Sequence, residues 1–274
     1  MSEDRKNNEK RKQINIWDTV APIFSKAGHN YWNEFGERLV ELSNIKDGGL
    51  LLDIGMGRGA SLFPAIQKIG NNGKIVGIDS SERMVHETNR ELLENNIINT
   101  EVYIMDVKNM TFAKETFDYI ISGFFISTLF YCEQKLNYIS RVLKNGGSFS
   151  FTTWGEQNDQ KWLTHITDKY ISKKSTLTGD RYNTVNSIIS VLQESKFKNI
   201  RVHEEQPYVI YTNEEQWWNE MNSNAFRCII DEIKELGKNQ IESFKADVNE
   251  GLKEFTKEDG IYLKMPVIYA FCEK

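Results

Sequence analysis

Residues 50–60, Leu-Leu-Leu-Asp-Ile-Gly-Met-Gly-Arg-Gly-Ala, constrain the fold of this chain more than any other stretch. An apolar run of strand length meets a glycine-rich turn, and apolar residues then recur at helical spacing (Leu62, Phe63, Ala65, Ile66, Ile69). A strand, a tight turn and a helix in that order form the opening unit of a nucleotide-binding α/β sheet. Glycine tolerates positive φ and lets a ligand approach the main chain closely. The helix after the turn aims its first, unbonded amide groups at whatever lies above it.

Gly55, Gly57 and Ala60 satisfy the G-x-G-x-x-G/A spacing, which by itself does not choose a ligand. Asp53 narrows the choice. It stands two residues before Gly55, at the carboxyl end of the strand, where it would repel a pyrophosphate and attract an ammonium group. S-adenosylmethionine carries an α-ammonium and a sulfonium, and no phosphate. Downstream, Lys74–Asp79 reads as a second strand ending on an acid 20 residues past Gly59. A carboxylate there accepts ribose hydroxyls, which suits NAD and S-adenosylmethionine equally. Ser80 or Ser81 then caps a helix carrying Met84, Val85, Leu92 and Leu93.

Alternation continues. Glu101–Asp106 is a third strand that again closes on an acid, and Phe117–Ser122 a fourth. A helix with Leu136, Ile139, Val142 and Leu143 on one face is expected to stop at Asn145-Gly146-Gly147. Ser148–Thr153 is the fifth strand, ending at Trp154-Gly155. Strands that alternate with helices predict a largely parallel sheet covered on both faces.

Taken in order, the glycine turn, the acids Asp79 and Asp106, the Phe117-Asp118 start of strand four and the Leu143–Gly147 lead into strand five resemble the class I S-adenosylmethionine-dependent methyltransferases. The resemblance covers about residues 50 to 155, with Asn145 where the family often has proline. It implies an α/β, Rossmann-like fold: a seven-stranded, mostly parallel sheet with an antiparallel last strand, an N-terminal helical lid and a helical insertion before the last strand. It implies S-adenosyl-L-methionine as cofactor, with Asp53 and the main chain around Gly55, Gly57 and Gly59 at its amino-acid end. Asp79 would hold the ribose, with Ser80 beside it, and Met84 would face the adenine. Asp106 and the Val107 amide would meet the adenine amine, and Ser122 would lie beside the methionine portion.

Outside that core, Met1–Lys12 is charged and polar and reads as a frayed tail or helix start. The Trp17–Phe24 run resembles the N-terminal lid of small-molecule methyltransferases, and equally fits an amphipathic helix with buried aromatics. Beyond strand five come a helix at Val185–Leu192, strand-like stretches at Phe197–His203 and Tyr208–Tyr211, a helical, aromatic block at Thr212–Asp259 and a final strand at Pro266–Phe271. Glu214-Glu215-Gln216-Trp217-Trp218 resembles a helical segment of the ubiquinone and menaquinone pathway methyltransferases. One domain over residues 1–274 is expected: a lid at 1–45, a cofactor-binding core at 46–155 and a C-terminal half at 156–274 containing the insertion 212–259.

Acceptors bind beyond the carboxyl ends of the strands in such sheets. Trp17, Phe24, Phe125, Trp154 and Trp217 are the candidate walls of that pocket, suited to a flat or isoprenoid acceptor. No general base is evident; His165, after strand five, is the candidate. The chain has no Asn-Pro-Pro-Tyr or Asp-Pro-Pro-Tyr run after strand four, which argues against amino methylation of adenine or glutamine. It also lacks H-E-x-x-H, P-loop and G-x-S-x-G motifs. With 34 basic and 39 acidic residues, a formal charge of −5 offers no bulk attraction to nucleic acid or an anionic membrane. Three widely spaced cysteines point to a reducing compartment and no metal, and no apolar run is long enough to span a bilayer, so a cytoplasmic protein is expected. The reading is methyl transfer to a small, largely apolar metabolite at carbon or oxygen. Its rivals are a nicotinamide-dependent oxidoreductase, opposed by Asp53 and by the lack of a suitably placed Tyr-x-x-x-Lys run, and a nucleoside-binding module without turnover.

Overall fold

Three consecutive leucines ahead of the glycine turn do form an interior strand of a sheet. The computed structural model describes residues 15–26, 28–132, 136–171 and 182–274; the expected tail, Met1–Lys12, lies outside them. In chain order, residues 15–20 are helical (α1), followed by α2 (Tyr31–Leu42), β1 (Gly49–Ile54), α3 (Leu62–Ile69), β2 (Gly73–Asp79) and α4 (Glu82–Glu94). Next come β3 (Thr100–Ile104), β4 (Phe117–Gly123), α5 (Asn137–Val142), β5 (Leu143–Trp154), α6 (Lys161–Tyr170), α7 (Val185–Glu194) and β6 (Lys198–Glu205). The chain closes with β7 (Tyr208–Tyr211), α8 (Glu214–Ser223), α9 (Arg227–Glu235), α10 (Lys238–Leu252), β8 (Thr256–Lys257), β9 (Gly260–Lys264) and β10 (Val267–Glu273).

These elements fall into two compact units. A sheet unit takes the described residues within 32–155, 181–205 and 267–274, and a helical unit those within 1–31, 156–180 and 206–266. The boundary at Tyr31 assigns nearly all of α2 to the sheet unit, although the sequence groups it with the lid.

In the sheet unit seven strands run in the order β3-β2-β1-β4-β5-β10-β6. β1 pairs in parallel with β2 and β4, and β10 pairs antiparallel with both β5 and β6, as expected of a last strand. Side chains alternate across β1: Leu52 and Ile54 enter one apolar cluster with Phe117, Phe149, Ile139 and Val191, while Leu51 enters another with Val40, Ala65, Ile66 and Leu92. A strand buried on both faces needs an unbroken apolar run, which is what Leu50-Leu51-Leu52 supplies. One polar link holds the amino ends of the strands, and another ties α3 to the end of α2. Asp118 accepts from the Leu50 amide at 2.9 Å and pairs with Lys144 at 2.8 Å. Lys68 of α3 donates to the carbonyls of Val40, Glu41 and Ser43, capping α2.

Two expectations are corrected here. The helix before strand five ends at Val142, and β5 already begins at Leu143; Phe117 pairs with Leu143 and Tyr119 with Ser148, so the Asn145-Gly146-Gly147 stretch is an irregularity inside the strand and not a helix terminus. Residues 212–259 are not wholly helical either. β8 and β9 form, with β7, a second sheet of order β7-β9-β8 in the helical unit. The alternating Gly260-Ile261-Tyr262-Leu263 pattern, with Ile261 and Leu263 buried, is the signal for it.

The core of the helical unit is aromatic. Trp217 of α8 is fully buried, with Trp218, Trp162 and Phe226 around it at 5.0, 6.3 and 6.3 Å between ring centroids. Phe244 of α10 is packed edge-on by Tyr170 at 5.4 Å.

Candidate functional site

β1 delivers Asp53 and the glycine turn to the carboxyl end of the sheet. Asp53 is 1% exposed, and neither of its carboxyl oxygens has a hydrogen-bond partner among the described residues. Burial, with the Asp79 charge adding to it, pushes its pKa up to about 8. A buried carboxyl group left without donors is costly unless a ligand completes it. Its surroundings select a cation, because a second carboxylate stands nearby and no ammonium or guanidinium bonds to it among the described residues.

The turn itself is shaped by that second acid. Asp79, at the end of β2, accepts the Gly57 amide at 2.9 Å and the Ser81 amide at 2.9 Å, one on each oxygen. Gly57 has φ +51, and a Cβ there would meet nothing within 4 Å, so this glycine borders open space. At Gly55 a Cβ would lie 2.5 Å from the Phe125 ring, and at Gly59 2.6 Å from the Phe63 ring. Gly36 of α2, which the sequence did not single out, lies against the Ala60 carbonyl so closely that any side chain would collide with it.

The remaining cofactor candidates divide by what they already hold. Ser81 is the cap of α4, accepting the Met84 amide at 3.1 Å, while Ser80 is half-buried beside it. Met84 is buried on α4. Asp106 accepts the Lys108 amide at 2.9 Å and caps a short 3-10 turn containing the buried Val107. Ser122 is completely buried, and its hydroxyl donates to the Ile54 carbonyl at 2.8 Å, tying β4 to β1.

Of the candidate acceptor residues, Phe125 and Trp154 belong to the sheet unit and Trp17, Phe24 and Trp217 to the helical unit. At the carboxyl ends of β4 and β5, Phe124 and Trp154 pack at 4.3 Å between centroids, joined by Trp32 and Phe35 of α2. Phe124 adopts φ +57, a conformation that costs a non-glycine residue roughly 1–2 kcal/mol. Its amide donates to the Thr152 carbonyl and hydroxyl at 3.2 and 3.1 Å, which holds it there. Strain retained at a strand end facing the ligand side is characteristic of working sites. In the helical unit Trp17 meets Phe24 edge-on at 5.7 Å, and Trp217 is part of the core. His165 is exposed on α6. That unit also holds a polar cluster that periodicity does not reveal: buried Glu220 accepts the His29 amide at 3.1 Å and the Tyr31 hydroxyl.

The sequence and the fold resemble those of known proteins. The family described as a methyltransferase domain matches residues 45–249. Aklanonic acid methyltransferase DauC of Streptomyces sp. (strain C5) is 31% identical over 53% of this chain and 66% of its own length. The ubiquinone/menaquinone biosynthesis C-methyltransferase UbiE of Blochmanniella pennsylvanica (strain BPEN) is 29% identical over 56% of this chain and 59% of its own. The chain therefore spans about three fifths to two thirds of these curated relatives. A phosphoethanolamine N-methyltransferase 2 of Haemonchus contortus, solved in complex with S-adenosyl-L-methionine, is similar in fold with a TM-score of 0.56 at 17% identity, over 95% of this chain and 56% of that one. Because the matched stretch contains β1 through β6, the glycine turn and the acids Asp53, Asp79 and Asp106, the chain belongs to the methyltransferase-domain family.

Proposed function

We propose that this protein transfers a methyl group from S-adenosyl-L-methionine to a small, largely apolar metabolite, at carbon or oxygen. The observation that carries the reading is Asp53, a buried carboxyl group whose two oxygens have no hydrogen-bond partner among the described residues, at the lip of the glycine turn. An α-ammonium group is the ligand such an acid is built to receive, and a pyrophosphate is the one it repels. Asp53 and the main chain of Gly55, Gly57 and Gly59 would hold the amino-acid end of the cofactor. Asp79, assisted by Ser80, would take the ribose hydroxyls, while Met84, Asp106 and the Val107 amide would bound the adenine. Ser122 would support the methionine portion by fixing the Ile54 carbonyl next to Asp53.

When bound, the cofactor supplies an activated methyl on a sulfonium, displaced in line by the acceptor. What the chain contributes is alignment and the exclusion of water. Phe125, Trp154 and the strained Phe124 are the proposed acceptor-facing walls of the sheet unit. Trp17 and Phe24 are proposed to serve the lid function, with Trp217 supporting it through the helical core. No residue is assigned as a base; His165, exposed on α6, would at most receive a proton from solvent-accessible substrate. The whole chain is proposed to act as one cytoplasmic enzyme on a small molecule, without nucleic acid. Among the described residues no helix is long and apolar enough to cross a membrane.

Titration calorimetry with S-adenosylmethionine, S-adenosylhomocysteine and NADH tests the reading. Binding of the first two, lost in Asp53→Ala with its circular dichroism unchanged, is the expected result. Binding of NADH alone would overturn it. Transfer of labelled methyl from cofactor to a small-molecule extract separates an enzyme from a binding module.

A further inference from the structure

We infer that Thr88 and Glu91, on the face of α4 turned toward the glycine turn, are positioning residues that hold the Gly57–Arg58 peptide in its cofactor-ready orientation; this rests on the methyl-donor reading above. Thr88 is fully buried, and its hydroxyl donates to the Gly57 carbonyl at 2.8 Å. Three residues on, and so on the same helix face, Glu91 pairs with the Arg58 guanidinium at 2.9 Å. From the opposite element, Asp79 accepts the Gly57 amide at 2.9 Å. The two peptides flanking Gly57 are thus gripped at the amide of one and the carbonyl of the other, and the next side chain is gripped as well.

This grip matters because of which residue it holds. Gly57 borders open space and, lacking a Cβ, is the residue of the turn freest to rotate its peptides. A trans peptide points its carbonyl and its amide hydrogen in opposite directions. Drawing the Gly57 carbonyl onto Thr88 therefore directs the Arg58 amide away from α4. Neither Thr88 nor Glu91 needs to touch the cofactor. Their contribution is to remove alternative orientations before binding, so that less ordering is left for the ligand to drive.

The test compares Thr88→Val, Thr88→Ser and Glu91→Gln in the full chain, with S-adenosylhomocysteine as the calorimetric probe and thermal melting as the control. Loss of one oriented hydrogen bond should weaken binding by Thr88→Val about tenfold, and Thr88→Ser should restore it to within about twofold. Glu91→Gln, at a partly exposed position, should weaken binding about threefold at an unchanged melting temperature. Equal affinity in Thr88→Val and wild type would overturn the inference and leave the donor reading standing. No binding by the wild type itself would overturn both. Should Thr88→Val not fold, Glu91→Gln decides: wild-type affinity there overturns the inference, and weakened affinity supports it.

Discussion

Asp53 binds its proton more tightly folded than unfolded, because burial and the Asp79 charge raise its pKa from 3.8 to about 8. Between those values the folded state carries the extra proton, so stability falls as pH rises through that window and the loss is complete above it. The cofactor-free protein should accordingly melt at progressively lower temperature between about pH 5 and about pH 8.5. Asp53→Asn should flatten that limb, and an unchanged slope in the variant would refute the assignment. The same proton reports on the ligand. An ammonium group favours the carboxylate, so binding of S-adenosylmethionine near neutral pH should release a proton from Asp53. Calorimetry in two buffers of different ionisation enthalpy should show the release in the wild type and not in Asp53→Asn.

The elements around the turn owe their placement to a few side chains at their ends. Ser81 accepts the Met84 amide at the start of α4, and Ser81→Ala should cost about 1 kcal/mol in a chemical denaturation experiment. That loss should also loosen the grip of α4 on the turn. Gly36 presses α2 against the Ala60 carbonyl, where added volume has no flexible neighbour to displace. Gly36→Ala should therefore destabilise the protein by about 1–3 kcal/mol, as overpacking of a close contact does, and weaken S-adenosylhomocysteine binding with it. A variant with wild-type melting and affinity would mean that α2 is free to shift away.

Across the whole molecule, electrostatic links oppose the trend set by Asp53. Arg38 of α2 grips Glu205 of β6 through Nε at 3.0 Å and Nη2 at 2.7 Å, which holds the Glu205 carboxyl below its usual range. Asp118 is also depressed, because its bonds from Lys144 and the Leu50 amide outweigh the opposing effect of burial. Carboxylates of this kind stabilise the fold above their unfolded pKa and lose that contribution as pH falls through the folded one. Stability should therefore be greatest on the mildly acidic side, with an acid limb weakened in Glu205→Gln by about 1 kcal/mol, the scale of a partly exposed pair. The helical unit has a buried aromatic core. Trp217→Ala would empty a fully buried site and should cost about 3–5 kcal/mol, read from the midpoint of chemical denaturation.

Period and punctuation in the chain were enough to lay out the parallel strands: Leu50-Leu51-Leu52, closed by a glycine turn, reads as a strand buried on both faces, and Asp53, Asp79 and Asp106 stand within two residues of the carboxyl ends of β1, β2 and β3. Local sequence also placed the glycine turn and left Ser81 as one of two caps. It could not say that Asp53 has no hydrogen-bond partner among the described residues, since that is a property of every element packed around it. Nor could it find Gly36, Thr88 or Glu91, whose partners lie 24, 31 and 33 residues away in the turn and follow no period. Helix and strand identity is written in neighbours along the chain, but a hydrogen bond to a particular carbonyl is decided by which faces meet. That is why the sheet was legible in the residues themselves, while the means of holding its turn in place appeared only in the tertiary structure.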